Sequence, residues 1–124
     1  MTDTQALIPP STITFWQEKL RLMDWQITVE VHRLHDLDGC MGRVEIDHHM
    51  RIALIKLMDP ADEPAVPNLL YPYRPEEVLV HELLHIPLAD WVPDGEAEEA
   101  NHEWAINSLV GALMGLKQEP SPQN

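Results

Sequence analysis

Residues 75–87 read PEEVLVHELLHIP, a stretch with clear start and stop signals for a helix. Proline suits the first turn of a helix, where its missing N–H is not needed, and the two glutamates after Pro75 suit the positive end of the helix dipole. Pro87 disfavours helical geometry in the residue before it. The stretch is therefore predicted to form a helix that begins at Pro75 and ends or kinks near Ile86.

The two histidines of this helix are predicted to share one face. His81 and His85 are four residues apart, which places their Cβ atoms about 5–6 Å from each other. Glu82 lies about 100° round the helix from His81 and about 60° from His85, so it flanks the pair. The apolar side chains cluster on the other side and are Leu79, Val80, Leu83, Leu84 and Ile86. The helix is thus predicted to bury its apolar side and to open its polar side onto a cleft.

Two imidazoles in this arrangement can bind one zinc ion at the usual Zn–N distance of about 2.0–2.1 Å. A carboxylate beside them can hold a metal-bound water and take its proton, which predicts Glu82 as a general base. Hydrolytic zinc sites normally have three protein ligands, so one more is needed. The metzincin pattern needs a glycine and a histidine shortly after the motif, and this chain has Leu88 and Trp91 at those positions.

The third ligand is predicted to come from the final helix, expected over Glu96 to Leu116 because its apolar residues recur along one stripe. Glu103 lies on this inward stripe, where a carboxylate is costly unless it is paired or bound to a metal, so we select Glu103. Glu99, about one turn earlier, is the nearest rival, and His102 is a further alternative. Asn107, four residues after Glu103, is placed to hydrogen-bond a ligand.

The rest of the chain predicts one more helix and three strands. A helix is expected over Ser11 to Met23, where apolar residues recur at helical spacing. Strands are expected over Trp25 to Leu34, Met41 to Ile46 and Arg51 to Leu57, the last apolar on both faces and therefore central. The proline-rich stretch Asp59 to Arg74 is expected to be an irregular loop at the rim of the site. Together these elements predict an α+β fold that consists, in chain order, of an N-terminal helix, a mostly antiparallel three-stranded sheet, the helix with the two histidines and a C-terminal helix.

Length and charge limit the classes of function. The 124 residues suffice for one domain, which we place at 1–118 with a flexible tail at 119–124. A net charge of −13 disfavours nucleic acids and anionic membranes as partners, and is compatible with cationic substrates or metal ions. A single cysteine, no signal peptide and no apolar run long enough for a membrane span predict a cytoplasmic protein. The sequence does not predict an oligomeric state.

With these motifs in place, the chain resembles the gluzincin-like metallopeptidases in their smallest form, the minigluzincins, and the related phage and prophage HExxH peptidases. The resemblance covers most of the chain and is carried by WQITV at 25–29, VHELLH at 80–85 and EWAINSL at 103–109. It implies a zincin-like fold and a zinc ion bound by His81, His85 and Glu103. It also implies that Glu82 acts as general base or acid in peptide hydrolysis, and that an edge strand aligns an extended peptide or protein substrate.

The chain departs from the gluzincin pattern, which commonly has aspartate four residues after the ligand glutamate, where this chain has Asn107. No residue stands out as the donor that would stabilise an oxyanion, and Tyr71, Tyr73 and His102 are the candidates. The alternative function is therefore a catalytically silent, zinc-stabilised binding or inhibitory module on the same fold. A DNA-associated protease of the SprT-like kind is a weaker option because the chain lacks a basic region.

Overall fold

A computed structural model describes residues 3–67, 69, 71–89 and 93–118 of the chain. In chain order, its helices and strands are α1 (Thr4–Leu7), α2 (Pro10–Lys19), β1 (Gln26–His32), β2 (Gly42–Asp47), β3 (Ile52–Met58), α3 (Pro75–Leu84) and α4 (Glu96–Gln118). Two short 3₁₀ helices, Leu34–Leu37 and Pro60–Ala65, lie between them. The predicted α+β class with a three-stranded sheet is confirmed.

Some predictions fall outside the described ranges. The tail at 119–124 and Trp91 are among the residues that the structure does not describe. Within the described ranges, none of the helices combines the length and the apolar character that crossing a membrane requires.

The sheet has the strand order β1-β3-β2, so the last strand in sequence lies in the middle. β3 runs parallel to β1, with Ile52 opposite Gln26, and antiparallel to β2, with Leu57 opposite Gly42. The sheet is therefore mixed, and the prediction of a mostly antiparallel sheet is wrong. The physical reason lies in the connection after β1. The 3₁₀ helix Leu34–Leu37 separates β1 from β2, so the two strands do not form a hairpin, and β3 enters between them.

The central position of β3 agrees with its sequence, which is apolar on both faces. Ala53, Ile55 and Leu57 have no exposed surface. β1 instead alternates between exposed and half-buried side chains, as its alternating sequence predicts. The pattern of apolar residues thus located each strand to within about two residues, which is the usual uncertainty for element ends.

Helix α2 is shorter than the predicted helix over Ser11 to Met23. It ends at Lys19, and Arg21 then adopts a left-handed backbone conformation with φ 61°. A left-handed residue cannot continue a right-handed helix. The amide of Gln17 stabilises the turn by donating hydrogen bonds to the carbonyls of Leu22 and Trp25. Met23, expected on the apolar stripe of the helix, is consequently 59% exposed.

The proline-rich loop after β3 is more ordered than its sequence predicts. It contains the 3₁₀ helix Pro60–Ala65, whose first turn is capped by the carboxylate of Asp59. The guanidinium of Arg33 donates two hydrogen bonds to Asp62, at 2.7 and 2.6 Å, and so ties the loop to the end of β1. Further along, the hydroxyl of Tyr73 donates to the carbonyl of Met58 at 2.8 Å. The rim of the site is therefore anchored at both ends of this loop.

One hydrophobic core joins the helices to the sheet. Its buried members include Trp16, Ile55, Leu57, Leu79, Val80, Leu83, Ile106, Val110 and Met114. The indole N–H of Trp16 donates to the carboxylate of Glu76 at 2.7 Å, so α2 supports the first turn of α3. Lys117, at the end of α4, forms an ion pair with the same carboxylate.

Helices α3 and α4 pack against each other in opposite directions. Glu76 at the start of α3 meets Lys117 at the end of α4, whereas His81 in the middle of α3 meets Asn107 in the middle of α4. The buried residues of α4 recur every four positions and are His102, Ile106, Val110 and Met114. The prediction that α3 begins at Pro75 and stops before Pro87 is confirmed. The helix ends at Leu84, and the chain then forms turns as far as Ala89.

The edge strand β2 approaches α3 closely at Gly42. A Cβ atom built on Gly42 would lie 2.4 Å from Cγ1 of Val78 and 3.4 Å from Cγ and Oε2 of Glu82. Contacts below about 3 Å are not tolerated by a packed interior. The absence of a side chain at position 42 is thus what allows the strand to lie against the helix that carries the two histidines. Sequence analysis did not single out Gly42, although a glycine inside a strand is a known signal of close backbone approach.

We expect Gly42→Ala to lower the free energy of unfolding by about 1–3 kcal/mol because its new methyl group overlaps Val78. Without that overlap, the same change would stabilise the strand slightly. Urea denaturation measures the difference. The double variant Gly42→Ala/Val78→Ala serves as the control. Its free energy of unfolding should fall by less than the sum of the decreases in the two single variants. Strict additivity, or a stable Gly42→Ala variant, would contradict the close approach.

Candidate metal centre

Three side chains from α3 and α4 converge at one point. One ligand atom from each of His81, His85 and Glu103 can be chosen so that all three lie within 4.8 Å of one another. Nε2 of His81 lies 3.2 Å from Oε2 of Glu103, and Nε2 of His85 lies 3.9 Å from Oε1 of the same carboxylate. The two imidazole rings are 5.2 Å apart between centroids. These three residues therefore form a group that could hold a metal ion.

The choice among the three candidate ligands on α4 agrees with this geometry. Glu103 joins the group, but its side chain is 47% exposed. The expectation that it lies on the inward stripe is therefore wrong, because the buried stripe of α4 runs through His102, Ile106, Val110 and Met114 and Glu103 lies at its margin. Glu99 is exposed and does not join it, although it lies only one turn earlier. His102 is buried next to His85, with 5.6 Å between the two ring centroids, and it is not a member of the group. Helix α4 turns Glu103 towards α3 because its neighbour at Ile106 is fully buried.

Asn107 orients one of the two histidines. Nδ1 of His81 lies 2.9 Å from Oδ1 of Asn107. An amide oxygen only accepts, so the imidazole donates from Nδ1, and Nε2 is the ring nitrogen that faces Glu103. A ligand histidine is commonly held in this way by an acceptor on its second nitrogen. The predicted support by Asn107 is thus present, and His81 is the residue that it supports.

The environment of His85 favours its neutral form. Burial lowers the pKa of His85 below its ordinary value, and the neighbouring His81 lowers it further. A metal binds the neutral imidazole and not the protonated one. His85 is therefore ready to act as a ligand at neutral pH without first losing a proton.

Glu82 is a buried carboxyl group beside the three candidate ligands. Its relative exposure is 7%, and burial, followed by the negative charge of Glu103, raises its pKa from 4.5 to about 7. The positive charge of Arg43 acts in the opposite direction but is the weaker influence. A carboxyl group with a pKa near neutrality can both take up and release a proton under physiological conditions. Perturbed carboxyl groups of this kind are concentrated at functional sites.

The group lies in a cleft of about 1130 Å³ between β2, α3 and α4. Its walls come from the edge strand (Gly42, Arg43, Val44, Ile46), from the rim segment (Leu69, Tyr71, Pro72, Tyr73) and from α4 (Glu103, Asn107, Val110, Gly111). Residues Val78, His81, Glu82 and His85 of α3 and the following turn also line it. The predicted opening of the polar side of α3 onto a cleft is confirmed.

The outer edge of β2 borders this cleft with unpaired backbone groups. In the described sheet β2 pairs only with β3. The amide of Met58 donates to the carbonyl of Met41 at 2.9 Å, and bonded residues alternate along an antiparallel pair. The N–H and C=O groups of Gly42, Val44 and Ile46 therefore point away from β3. An extended chain placed along this edge could pair with them.

The three candidates for an oxyanion donor are not equivalent. The hydroxyl of Tyr73 is engaged with the carbonyl of Met58, and burial raises its pKa well above the usual range, so Tyr73 has a structural role. Tyr71 is 74% exposed and lines the cleft. His102 also lines the cleft, next to His85. Arg43, which sequence analysis did not consider, is a further cationic donor in the cleft wall, where its guanidinium also pairs with Asp38 at 2.7 Å.

Comparison of the chain with models of protein families, with curated proteins and with solved structures found no match.

The first prediction for this site concerns the third ligand. Removing the hydrogen-bond partner of a metal ligand typically weakens metal binding by roughly 10–100-fold. We expect Asn107→Ala to weaken zinc binding within this range, and Glu103→Ala to weaken it by more. Glu99→Ala is the matched control, because it removes the same charge one turn away at an exposed position. Competition with a chromophoric chelator measures the affinities. Weak binding by Glu99→Ala together with intact binding by Glu103→Ala would overturn the assignment.

The second prediction follows from the raised pKa of Glu82. Between its ordinary pKa of 4.5 and about 7, the folded chain holds a proton that the unfolded chain releases, so stability falls as the pH rises through this window. In the presence of a chelator, Glu82→Gln should therefore be more stable than the wild type by about 3 kcal/mol at pH 8. The difference should shrink as the pH falls and approach zero below the ordinary pKa of 4.5. Denaturation at several pH values measures the difference in stability. A difference independent of pH would contradict the raised pKa of Glu82 as its cause.

Proposed function

We propose that this chain is a zinc-dependent metallopeptidase that hydrolyses peptide bonds, with His81, His85 and Glu103 as the zinc ligands and Glu82 as general base. The observation that carries the proposal is the convergence of the three donor groups beside a buried carboxyl group, in a cleft bordered by an open strand edge. Any one of these features occurs in many proteins. Their combination is what peptide hydrolysis by a metal requires.

The donor set supports zinc as the metal. Two imidazoles and a carboxylate with one position left open form the usual ligand set of a hydrolytic zinc site. A tetrahedral ion with Zn–N distances of about 2.0–2.1 Å implies donor atoms separated by roughly 3.4 Å. The separations of 3.2 and 3.9 Å join the two imidazoles to different oxygens of Glu103, and one donor atom from each residue can be chosen within 4.8 Å of the other two. Side-chain movements on the order of 1 Å would therefore bring the three donor atoms to the spacing that the ion requires.

Zinc, when bound, supplies a Lewis acid that polarises a peptide carbonyl and lowers the pKa of water. The remaining chemistry belongs to residues of the chain. Glu82 accepts the proton of the attacking water and passes it to the leaving nitrogen, for which a pKa near neutrality is suited. Asn107 keeps the Nε2 atom of His81 directed at the site by accepting from Nδ1. The buried side of α3 excludes solvent from behind Glu82.

The strand edge supports a peptide as the substrate. Backbone pairing along an open edge binds extended chains with little regard to side chains. The outward N–H and C=O groups of Gly42, Val44 and Ile46 lie along the cleft that contains Glu82. A peptide added as the next strand would run past the site in an extended conformation, with its carbonyl groups accessible to the centre.

A silent zinc-stabilised module is the competing function, and one observation favours it. The hydroxyl of Tyr73 is engaged in a structural hydrogen bond, which leaves Tyr71, His102 and Arg43 as donors for an oxyanion. Loss of such a donor commonly costs about 10²–10³ in rate. The experiment must therefore distinguish slow hydrolysis from no hydrolysis.

We expect Glu82→Gln to retain about one zinc per chain and to lose peptide hydrolysis, because an amide cannot take up the proton. His81→Ala should lose both the bound zinc and the hydrolysis. Elemental analysis measures the metal, and mass spectrometry of a digested peptide library measures cleavage. Hydrolysis retained by Glu82→Gln would reject the mechanism. A wild type that binds zinc and melts at a lower temperature after chelation, yet cleaves nothing, would establish the silent module.

A further inference from the structure

The wall of the cleft contains an arginine whose ion-pair partner lies outside the cleft. Of the described residues that line the cleft, Arg43 and Arg74 are the arginines. Arg74 donates to Glu77 at 3.1 Å, and Glu77 also lines the cleft, so this pair adds no net charge to the wall. Arg43 donates to Asp38 at 2.7 Å, and Asp38 is not a wall residue. Arg43 therefore brings a positive charge to the wall of the cleft.

Arg43 lies next to the proposed general base. It follows Gly42, where a built Cβ atom would lie 3.4 Å from Oε2 of Glu82. Successive residues of a strand are about 3.3 Å apart, so Arg43 is one residue from the closest approach of β2 to Glu82. Its positive charge lowers the pKa of Glu82, although burial and Glu103 raise that pKa by more. A group bound by this guanidinium would therefore lie close to the bond that is hydrolysed at Glu82.

The guanidinium of Arg43 has donors beyond the one that Asp38 uses. Asp38 accepts from Nη1, whereas a guanidinium has five N–H donors in a planar fork that matches a carboxylate. The two side chains are 51% and 81% exposed, and an ion pair as exposed as this contributes little to stability. A carboxylate that enters the cleft can therefore bind beside Asp38 or replace it.

The open strand edge would position an extended peptide beside Arg43. Gly42 and Val44, on either side of it, direct their backbone N–H and C=O groups away from β3. In an antiparallel strand added at this edge, the residue opposite Arg43 would have its Cβ atom about 4.5–5.5 Å away, and opposite charges at such positions attract. An acidic side chain at this position, or the carboxylate of a peptide that ends there, is thus within reach of the guanidinium.

We propose that Arg43 is a specificity-determining residue that binds a carboxylate of the substrate within one or two residues of the scissile bond. The inference rests on the proposed peptidase function, because that function places the substrate in the cleft. The carboxylate belongs either to the C-terminus of the substrate or to an aspartate or glutamate side chain. The net charge of −13 acts against any anionic ligand, so a preference for a carboxylate requires a cation at a specific place.

The experiment compares Arg43→Gln with Arg51→Gln in the full, zinc-loaded chain. Arg51 is the matched control because it is a similarly exposed arginine, at 60%, that pairs with the carboxylate of Asp24 and does not line the cleft. The probes are dipeptides that carry a zinc-binding hydroxamate. One pair has the hydroxamate at the N-terminus and compares a C-terminal carboxylate with an amide. The other pair has no free C-terminus, carries the hydroxamate at either end, and compares glutamate with glutamine.

Calorimetry gives the affinities, and a peptide library gives the rates of cleavage. The wild type and Arg51→Gln should bind the carboxylate member of at least one pair more tightly than its amide counterpart. In Arg43→Gln this preference should fall by about ten- to hundredfold, the scale of a hydrogen bond to a charged group, while binding of the amide probes is unchanged. A preference in the first pair identifies a C-terminal carboxylate, and a preference in the second identifies an acidic side chain.

No preference in the wild type, an unchanged preference in Arg43→Gln, or an equal loss in Arg51→Gln would overturn the proposal. An equal fall in the cleavage of all peptides by Arg43→Gln, with its binding preference intact, would also overturn it and would make Arg43 an oxyanion donor instead. A preference that depends on Arg43, without any library cleavage by the wild type, would uphold carboxylate binding and reject the peptidase function. Cleavage without such a preference would do the opposite.

Discussion

The antiparallel packing of α3 against α4 is the contact on which the candidate site depends. α4 buries Ile106 and Val110 in the core, and this fixes its rotation about its own axis. Glu103 is then held towards His81 and His85, within reach of both imidazoles. Because neighbouring residues on a helix are separated by about 100°, a rotation by one residue would carry the carboxylate away from α3. The apolar stripe of the last helix therefore determines the geometry of the polar group beside it.

The titratable groups around this contact would favour a bound cation. Burial raises the free-energy cost of ionising Glu82, and the negative charge of Glu103 adds to that cost. At His85 burial and the neighbouring His81 lower the pKa and so favour the neutral imidazole, although Glu103 acts in the opposite direction. A divalent ion would reduce the repulsion between the carboxylates and would use the neutral imidazole as a ligand. The net charge of −13 also attracts cations to the chain over longer distances.

Local signals predicted most of the elements, whereas contacts between elements were predicted poorly. Pro75 and Pro87 predicted the extent of α3 because proline acts on the backbone of its own segment. Glu103 was predicted correctly as a member of the group because helical geometry fixes its position relative to its apolar neighbours. The pairing of β1 with β3 was missed because strand alternation says which face is buried and not which strand is adjacent. Gly42 was missed for a similar reason, since the atom that it would strike belongs to α3.

The mixed sheet also has a consequence for the order in which the chain folds. β2 and β3 are joined by a turn of four residues, 48–51, whereas the paired ends of β1 and β3 are separated by about 25 residues. Closing the longer loop costs roughly 1.6 kcal/mol more entropy than closing the shorter one. We therefore expect the hairpin of β2 and β3 to form first, and β1 to complete the sheet by pairing with β3 in a later step.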